Sequence, residues 1–400
     1  MEIVELFRSY ADICAAAQQK AIELESHPDK KKHVRAFAAR EAAQILGVSQ
    51  SHLRNLCRNP DFPQGEIAGN GRRSFTIENL HEARTWLAKS TGNARYEPGR
   101  REGDQLQVVT FVNFKGGSGK TTSATHFAQY LALHGYRVLL IDLDPQASAT
   151  AMFGIAPDTE IDAEATFAAW LRRDDEDDVT NIAKSIVRET YWPGLNLVPA
   201  GIALQHAEYE LVGKLIGQRD FPFYRELSDF VDQVESDYDV VVCDCRPDAG
   251  MMTINALIAA TGMIVPMPAS MIDFASSGEF FRFMSEVASD LHRSVSRDLM
   301  AYDFVKILTT KFKANDKNQQ EILTWKNAFF QSALLPEPML ETAALDAAGI
   351  VKESLYEYDP TGNRRSYDRA LDSMNAVNHA IEAELLACWG RKAQPQLDLV

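Results

Sequence analysis

Residues 115–122 read Lys-Gly-Gly-Ser-Gly-Lys-Thr-Thr, directly after the apolar run LQVVTFVNF (106–114) and before a helix-like stretch at 123–133. Glycines so spaced let successive backbone N–H groups turn toward one point. The positive end of the following helix adds to them, so strand, turn and helix converge on an anion. A plain strand-to-helix connection does not need the Gly119-Lys120-Thr121 ending. The segment is a variant of the phosphate loop G-x-x-x-x-G-K-[ST], with Phe114 at the first glycine position and an additional lysine, Lys115, behind it. Lys115, Gly116, Gly117, Ser118, Gly119, Lys120, Thr121 and Thr122 are thus the expected nucleotide-binding residues. Lys120 would meet the terminal phosphates and the Thr121 hydroxyl would bind Mg²⁺.

From residue 107 onward, short apolar runs alternate with helical patterns: RVLLIDLD (137–144), LNLVPA (195–200), DVVVCD (239–244), GMIVPMP (262–268) and FVKILTT (304–310). Continuously apolar strands separated by helices predict an α/β fold, a mostly parallel sheet with helices on both faces. Such sheets bind ligands at the carboxyl ends of their strands. Asp142 and Asp144 sit two apart at one such end, on one strand face, and Asp244 ends another. Asp244 is expected to hold Mg²⁺ through water, and three acids so placed suit metal and water positioning. The acidic run 174–178 lacks turn glycines and reads as a solvated loop.

The 400 residues carry a net charge of −15, unevenly spread. Residues 29–90 hold 11 Lys and Arg against 6 Asp and Glu, a local +5, so the remainder carries −20. Within this basic region, residues 38–46 suit a short helix, Gly47-Val48 a turn, and Ser49 an N-cap for SQSHLRNLCR. Leu53 and Leu56 would face inward, leaving Ser51, His52, Arg54 and Asn55 outside, the arrangement of a helix-turn-helix. Arg54 and Asn55 can read base edges. Arg72 and Arg73 flank a Gly-Asn-Gly turn placed like the wing of a winged helix, suited to phosphates or the minor groove. A basic module on an acidic body predicts operator DNA binding. Near the C-terminus, Lys352, Arg364 and Arg365 surround a second Gly-Asn turn at 362–363. They form either a second DNA surface or a solvated basic loop.

The expected organisation is an amphipathic helix at 1–27, spaced for a dimer contact or for packing within its own domain. A winged helix-turn-helix at 28–92 follows, with a basic hinge at 27–32. A polar, turn-rich linker occupies 93–106, a nucleotide domain 107–393 and a tail 394–400. Five scattered cysteines without a C-x-x-C suggest neither disulfides nor a zinc cage, and suit a reducing cytoplasm. Cys243 and Cys245, His126, and Trp170, Trp192, Trp325 and Trp389 are expected in the core. No run is apolar enough to predict a membrane span.

FKGGSGKTT, LLIDLDPQ and VVVCD resemble the deviant-Walker ATPases of the ParA/MinD class. Together with VPMPASMIDFASSGEF (265–280), ILTTKF (307–312) and the stretch from PMLETAALDAAG onward, residues 34–392 resemble the plasmid-partition ATPases of RepABC-type replicons, the RepA branch of the ParA family. Residues 28–92 resemble MerR-type DNA-binding domains. The resemblance implies a slow ATPase using ATP, ADP and Mg²⁺, with a homodimer sandwiching the nucleotide. Lys115 would reach the partner's phosphates, and Lys115, Lys120 and Asp144 would be catalytic, Asp144 orienting water with Asp142 near the Mg²⁺ shell. It further implies non-specific nucleoid DNA binding through the C-terminal basic residues, stimulation by a ParB-like partner, autorepression through the N-terminal domain, and a cytoplasmic location with no membrane contact. A nucleotide-sensing repressor without a partition role is the alternative. One departure stands out: the family carries two prolines after the Asp-Cys of this strand, whereas here Asp244-Cys245 precedes Arg246-Pro247-Asp248. Arg246 either contacts the nucleotide or marks a repurposed loop.

Overall fold

Each of the six apolar runs carries one strand of a seven-stranded sheet in the computed structural model. These are β4 (Gln107–Phe111), β5 (Val138–Asp142), β7 (Leu195–Val198), β8 (Val240–Asp244), β9 (Gly262–Pro268) and β10 (Phe304–Thr310), in the order β10-β9-β4-β8-β5-β7-β6. All pair in parallel, and β4, β5, β8 and β9 are buried throughout because helices cover both faces. The seventh strand, β6 (Arg188–Glu189), lies antiparallel on the edge beside β7. Two polar residues give no apolar run, which is why the sequence does not announce it.

The structure describes residues 3–25, 32–67, 71–157, 159–174, 178–217, 221–359 and 364–393. The hinge at 27–31, the wing tip 68–70, the middle of the acidic run 175–177, the turn 360–363 and the tail 394–400 lie outside them. The chain divides into two compact units, Met1–His33 and Val34–Val400. The first is the helix α1 (Ile3–Glu25), whose residues Ile3, Phe7 and Tyr10 are exposed.

At the start of the second unit, α2 (Ala39–Ile45) and α3 (Gln50–Leu56) are joined through Gly47, at φ +65°. The Ser49 hydroxyl accepts from His52 N at 3.1 Å and caps α3. A three-stranded antiparallel sheet of β1 (Phe37–Ala38), β3 (Arg73–Phe75) and β2 (Glu66–Ile67) packs with α4 (Ile77–Thr91) around Phe37, Leu53, Phe62, Phe75 and Leu87. This core continues into the face of α5 (Lys120–Leu133), where the His81 imidazole meets Ala132 O at 2.7 Å.

The turn-rich stretch 93–106 is strapped down. Tyr96 is buried. Arg100 donates to Glu235 O and Tyr238 O, and its N–H to Asp239 Oδ1. Past the helix Arg364–Cys388, Trp389 Nε1 donates to Gln105 O at 2.8 Å, and Arg391 Nη1 to Pro98 O and Gly99 O at 2.7 and 2.9 Å. Its polar composition serves backbone carbonyls that pair with arginines. Trp170 and Trp192 are core residues and Trp389 is 9% exposed, but Trp325 is 41% exposed. The core expectation for Trp325 is corrected: the helix Lys317–Phe330 turns Lys326 inward instead.

Candidate functional site

The loop after β4 turns on two glycines. Gly117 and Gly119 have φ of +70° and +94°, a region that disfavours any Cβ. At Gly119, the N-cap of α5, a Cβ would also come within 3.2 Å of Met339 Cε. The chain therefore folds back over the start of α5, whose first-turn N–H groups have no partner within the helix. Two neighbouring strands brace it. Asn113 Oδ1 accepts from Lys115 N at 3.0 Å while Asn113 Nδ2 donates to Pro266 O at 2.8 Å. Thr310 Oγ1 donates to Ser118 O at 2.7 Å.

The two lysines of the loop differ. Lys120 is buried and its ammonium donates to Lys115 O at 3.1 Å; burial lowers its pKa and Asp244 opposes the shift. Lys115 points outward, its side chain 41% exposed, with one long ion pair among the described residues, 3.8 Å to Asp273 Oδ1. Gly116 is open, with nothing within 4 Å of a Cβ placed on it. Ser118 is buried; Thr121 and Thr122 are half-buried at the start of α5.

Asp142 and Asp244 end adjacent strands in register, and both are fully buried. Their circumstances diverge. Asp142 accepts from Asp144 N, Thr150 N and Thr150 Oγ1 at 3.1, 2.9 and 2.8 Å; burial pushes its pKa up to about 6 against those bonds. Asp244 accepts no hydrogen bond among the described residues on either oxygen. Burial first, then Asp142, drives it well above the carboxylate range. The Thr121 hydroxyl and Lys120 pull the other way. A sealed, unpartnered carboxylate costs free energy. Asp144 is half-buried, its Oδ1 accepting from Gln146 N at 3.0 Å. Beside it Ala147 takes φ +54°, a strained value for a residue with a Cβ.

The described residues contain no cluster of three His, Cys, Asp or Glu that could hold a metal alone. A divalent cation here would draw on Asp244, the Thr121 hydroxyl, water and ligand oxygens, and the orphaned Asp244 fits that demand.

Arg246 is paired with two carboxylates. Its Nη1 donates to Glu208 Oε2 at 2.8 Å and its Nε pairs with Asp248 Oδ2 at 2.5 Å. The other Glu208 oxygen accepts from Met252 N at 3.3 Å, so this arginine ties the strand end to the helices Ile202–Gly217 and Met251–Ala259. Cys243 and Cys245 are buried, and burial raises both thiols, Cys243 to about 12. His126 is buried too, between Thr122 O and Leu355 N.

Three residues were missed in the sequence. The Lys311 ammonium lies 3.8 Å from where a Gly117 Cβ would sit. Asp273 faces Lys115, and the buried Lys326 donates to Met267 O and Pro268 O at 2.6 and 3.2 Å. Burial brings Lys326 down to about 7, with Asp273 opposing. Each comes from a different strand end or helix, so no local spacing links them. Lys311 lies within the ILTTKF stretch and takes a positive φ of +52°.

In the N-terminal region Ser51, His52, Arg54 and Asn55 are exposed along α3, and Leu53 is buried. Arg72 is exposed, whereas Arg73 folds back on the hairpin to Gln64. Lys352, Arg364 and Arg365 are exposed, with Arg364 3.9 Å from Asp368.

The glycine loop between a central parallel strand and a helix defines a P-loop nucleotide-binding protein. A family model described as an AAA domain matches residues 106–297. A protein of Rhizobium rhizogenes named replication protein A is 38% identical over 91% of this chain and 90% of its own length. Protein SopA of Escherichia coli K12 is 31% identical over 88% and 85%. The chain belongs to the ParA/Soj/SopA family of plasmid-partition ATPases. Among solved structures, a partition protein aligns over 93% of this chain and 98% of its own with a TM-score of 0.58 at 18% identity, a likeness of fold. Cobyrinic acid a,c-diamide synthase of Mycobacterium smegmatis, with a bound ATP analogue and magnesium, aligns over 73% and 100%, at 25% identity and a TM-score of 0.53.

Proposed function

We propose that the 115–122 loop binds ATP with Mg²⁺, that two chains dimerise around the nucleotide, and that slow hydrolysis releases them. The observation that carries this reading is the pairing of a braced glycine cradle with Asp244, a buried carboxylate that accepts no hydrogen bond among the described residues. A cation between Asp244, the Thr121 hydroxyl and the phosphates would remove that penalty; it supplies charge neutralisation, and the chain does the positioning. Lys120 would turn from the Lys115 carbonyl to the terminal phosphates. Asp142, its oxygens spent on Thr150 and Asp144, would hold the turn that lets Asp144 orient water. Lys115, exposed and weakly paired, is free to reach a second subunit's phosphates.

The exposed face of α3, with Arg54 and Asn55, supports operator binding and autorepression by residues 28–92, with Arg72 on the phosphates. Arg364, Arg365 and Lys352 would contact nucleoid DNA without sequence preference, and a DNA-bound ParB-like partner would stimulate hydrolysis. Light scattering with ATP, ADP and no nucleotide tests the core of this reading. The wild-type chain should dimerise with ATP and Mg²⁺, and Lys115→Ala should bind ATP yet lose hydrolysis. Full hydrolysis by Lys115→Ala would remove the shared site.

A further inference from the structure

A cavity of about 520 Å³ lies far from the phosphate loop, between residues 34–96 and the ATPase body. Arg35, Phe37 and Arg84 line it from one side, and Leu133, His134 and Leu386 from the other. That volume falls in the range of small-molecule sites, which combine apolar walls with a few polar anchors.

The charge around the cavity is unbalanced. Six cationic side chains line it (Arg35, Arg84, Arg95, Arg101, Arg391 and Lys392) against Glu41, Asp372 and Glu382. Glu41 is committed to Arg35 at 2.6 Å. Glu382 accepts from the Tyr130 and Tyr136 hydroxyls at 3.0 and 2.9 Å, with His379 3.5 Å away. Arg391 pairs with Asp104. Arg84 differs from these. It is 7% exposed, has no carboxylate within 4 Å among the described residues, and gives one hydrogen bond, to Ile45 O. A buried guanidinium ordinarily sits against an anion, because desolvation without a counter-charge is costly. Burial lowers even its pKa, with the more distant Glu382 the largest opposing charge. His134, held neutral by burial at about 4, adds no charge of its own.

We propose that this cavity is a second ligand site, taking a small organic anion with a flat apolar body, and that Arg84 is the cation that anchors it. The anionic group meets Arg84 while the body lies along Phe37, Leu133 and Leu386. The walls come from both parts of the unit, so an occupant holds residues 34–96 against α5.

Anilinonaphthalene sulfonate, a flat aromatic anion that fluoresces in apolar sites, serves as the probe. It is titrated into the full chain with the phosphate loop saturated by a non-hydrolysable ATP analogue and Mg²⁺. One saturable site is expected, with the uncharged phenylnaphthylamine binding at least about tenfold more weakly. Arg84→Met should weaken the sulfonate about tenfold, and Leu371→Trp, which fills the cavity from the helix Arg364–Cys388, should abolish binding. Thermal melting and ATP binding verify that each variant folds. If Arg84→Met does not fold, Leu371→Trp and the uncharged probe decide. Absence of a saturable site, equal binding of both probes, or binding indifferent to the variants would overturn the proposal.

Discussion

The two ends of α5 stand about 20 Å apart, at 1.5 Å per residue over 14 residues. At its N-terminus, Lys120 donates to the Lys115 carbonyl beside a backbone cradle, while the Asp244 carboxylate accepts no hydrogen bond among the described residues. At its C-terminus, Glu382 is fully engaged by two tyrosines and His379, while Arg84 has no carboxylate against it among the described residues. Both ends pair a satisfied carboxylate with an unsatisfied charge: Asp142 with Asp244, and Glu382 with Arg84. Buried polar groups in stable folds are overwhelmingly partnered. An unpartnered one beside a partnered twin therefore marks where something outside the chain belongs.

The sharpest way to break this comparison is Lys120→Ala. If the N-terminal end is the reaction centre, phosphate release should fall on the order of 10³-fold with the fold intact, the scale on which a preorganised cation acts on developing phosphoryl charge. A loss of only a few-fold would move the chemistry elsewhere.

Next comes Glu382→Gln. Burial pushes Glu382 up, but the His379 and Tyr136 hydrogen bonds, and His134 once it is protonated in acid, overcome it and bring its pKa from 4.5 down to about 2. A depressed carboxylate stabilises the fold above its unfolded pKa, and that stability is lost as pH falls from about 4.5 through 2. The variant should lose on the order of 2–3 kcal/mol at pH 7, and denaturant melts should converge with wild type near pH 2.

Asp244→Asn has the opposite sign. A carboxylate whose folded pKa is raised costs stability once pH exceeds its unfolded value near about 4. Without nucleotide the variant should melt a few degrees higher at pH 7, and the advantage should vanish in acid. Stabilisation by ATP should lose its dependence on Mg²⁺. A variant that melts lower, or keeps that dependence, would mean Asp244 is satisfied by the chain itself.

Arg54→Ala belongs to neither end. Operator affinity should drop about tenfold, measured by fluorescence anisotropy, while ATP hydrolysis without DNA stays unchanged. Loss of hydrolysis would join α3 to the cradle.

The N-terminal end of α5 was legible in the sequence because its parts are contiguous. Strand, glycines, lysine and helix follow one another within 115–122, and the aspartates mark themselves by ending apolar runs. The braces were not legible: Asn113 and Thr310 hold the loop because β4, β9 and β10 lie side by side, and Asp273 reaches Lys115 from the helix Met271–Ser294. The C-terminal end left no local trace at all. Arg84, Tyr136 and Glu382 stand dozens to hundreds of residues apart, and each looks like an ordinary helical or loop residue. Arg246 was visible as a departure, yet its partner Glu208 could not be, since a long-range ion pair has no spacing.

Trp389 and Arg391 reach back to the stretch around residues 98–105. The last described turn of the polypeptide is thus stitched to the segment between residues 34–96 and the nucleotide-binding body. Removing the chain from residue 389 onward would unpick that seam while leaving every nucleotide-facing group in position. Such a shortened protein should still hydrolyse ATP but no longer pass the state of one half to the other.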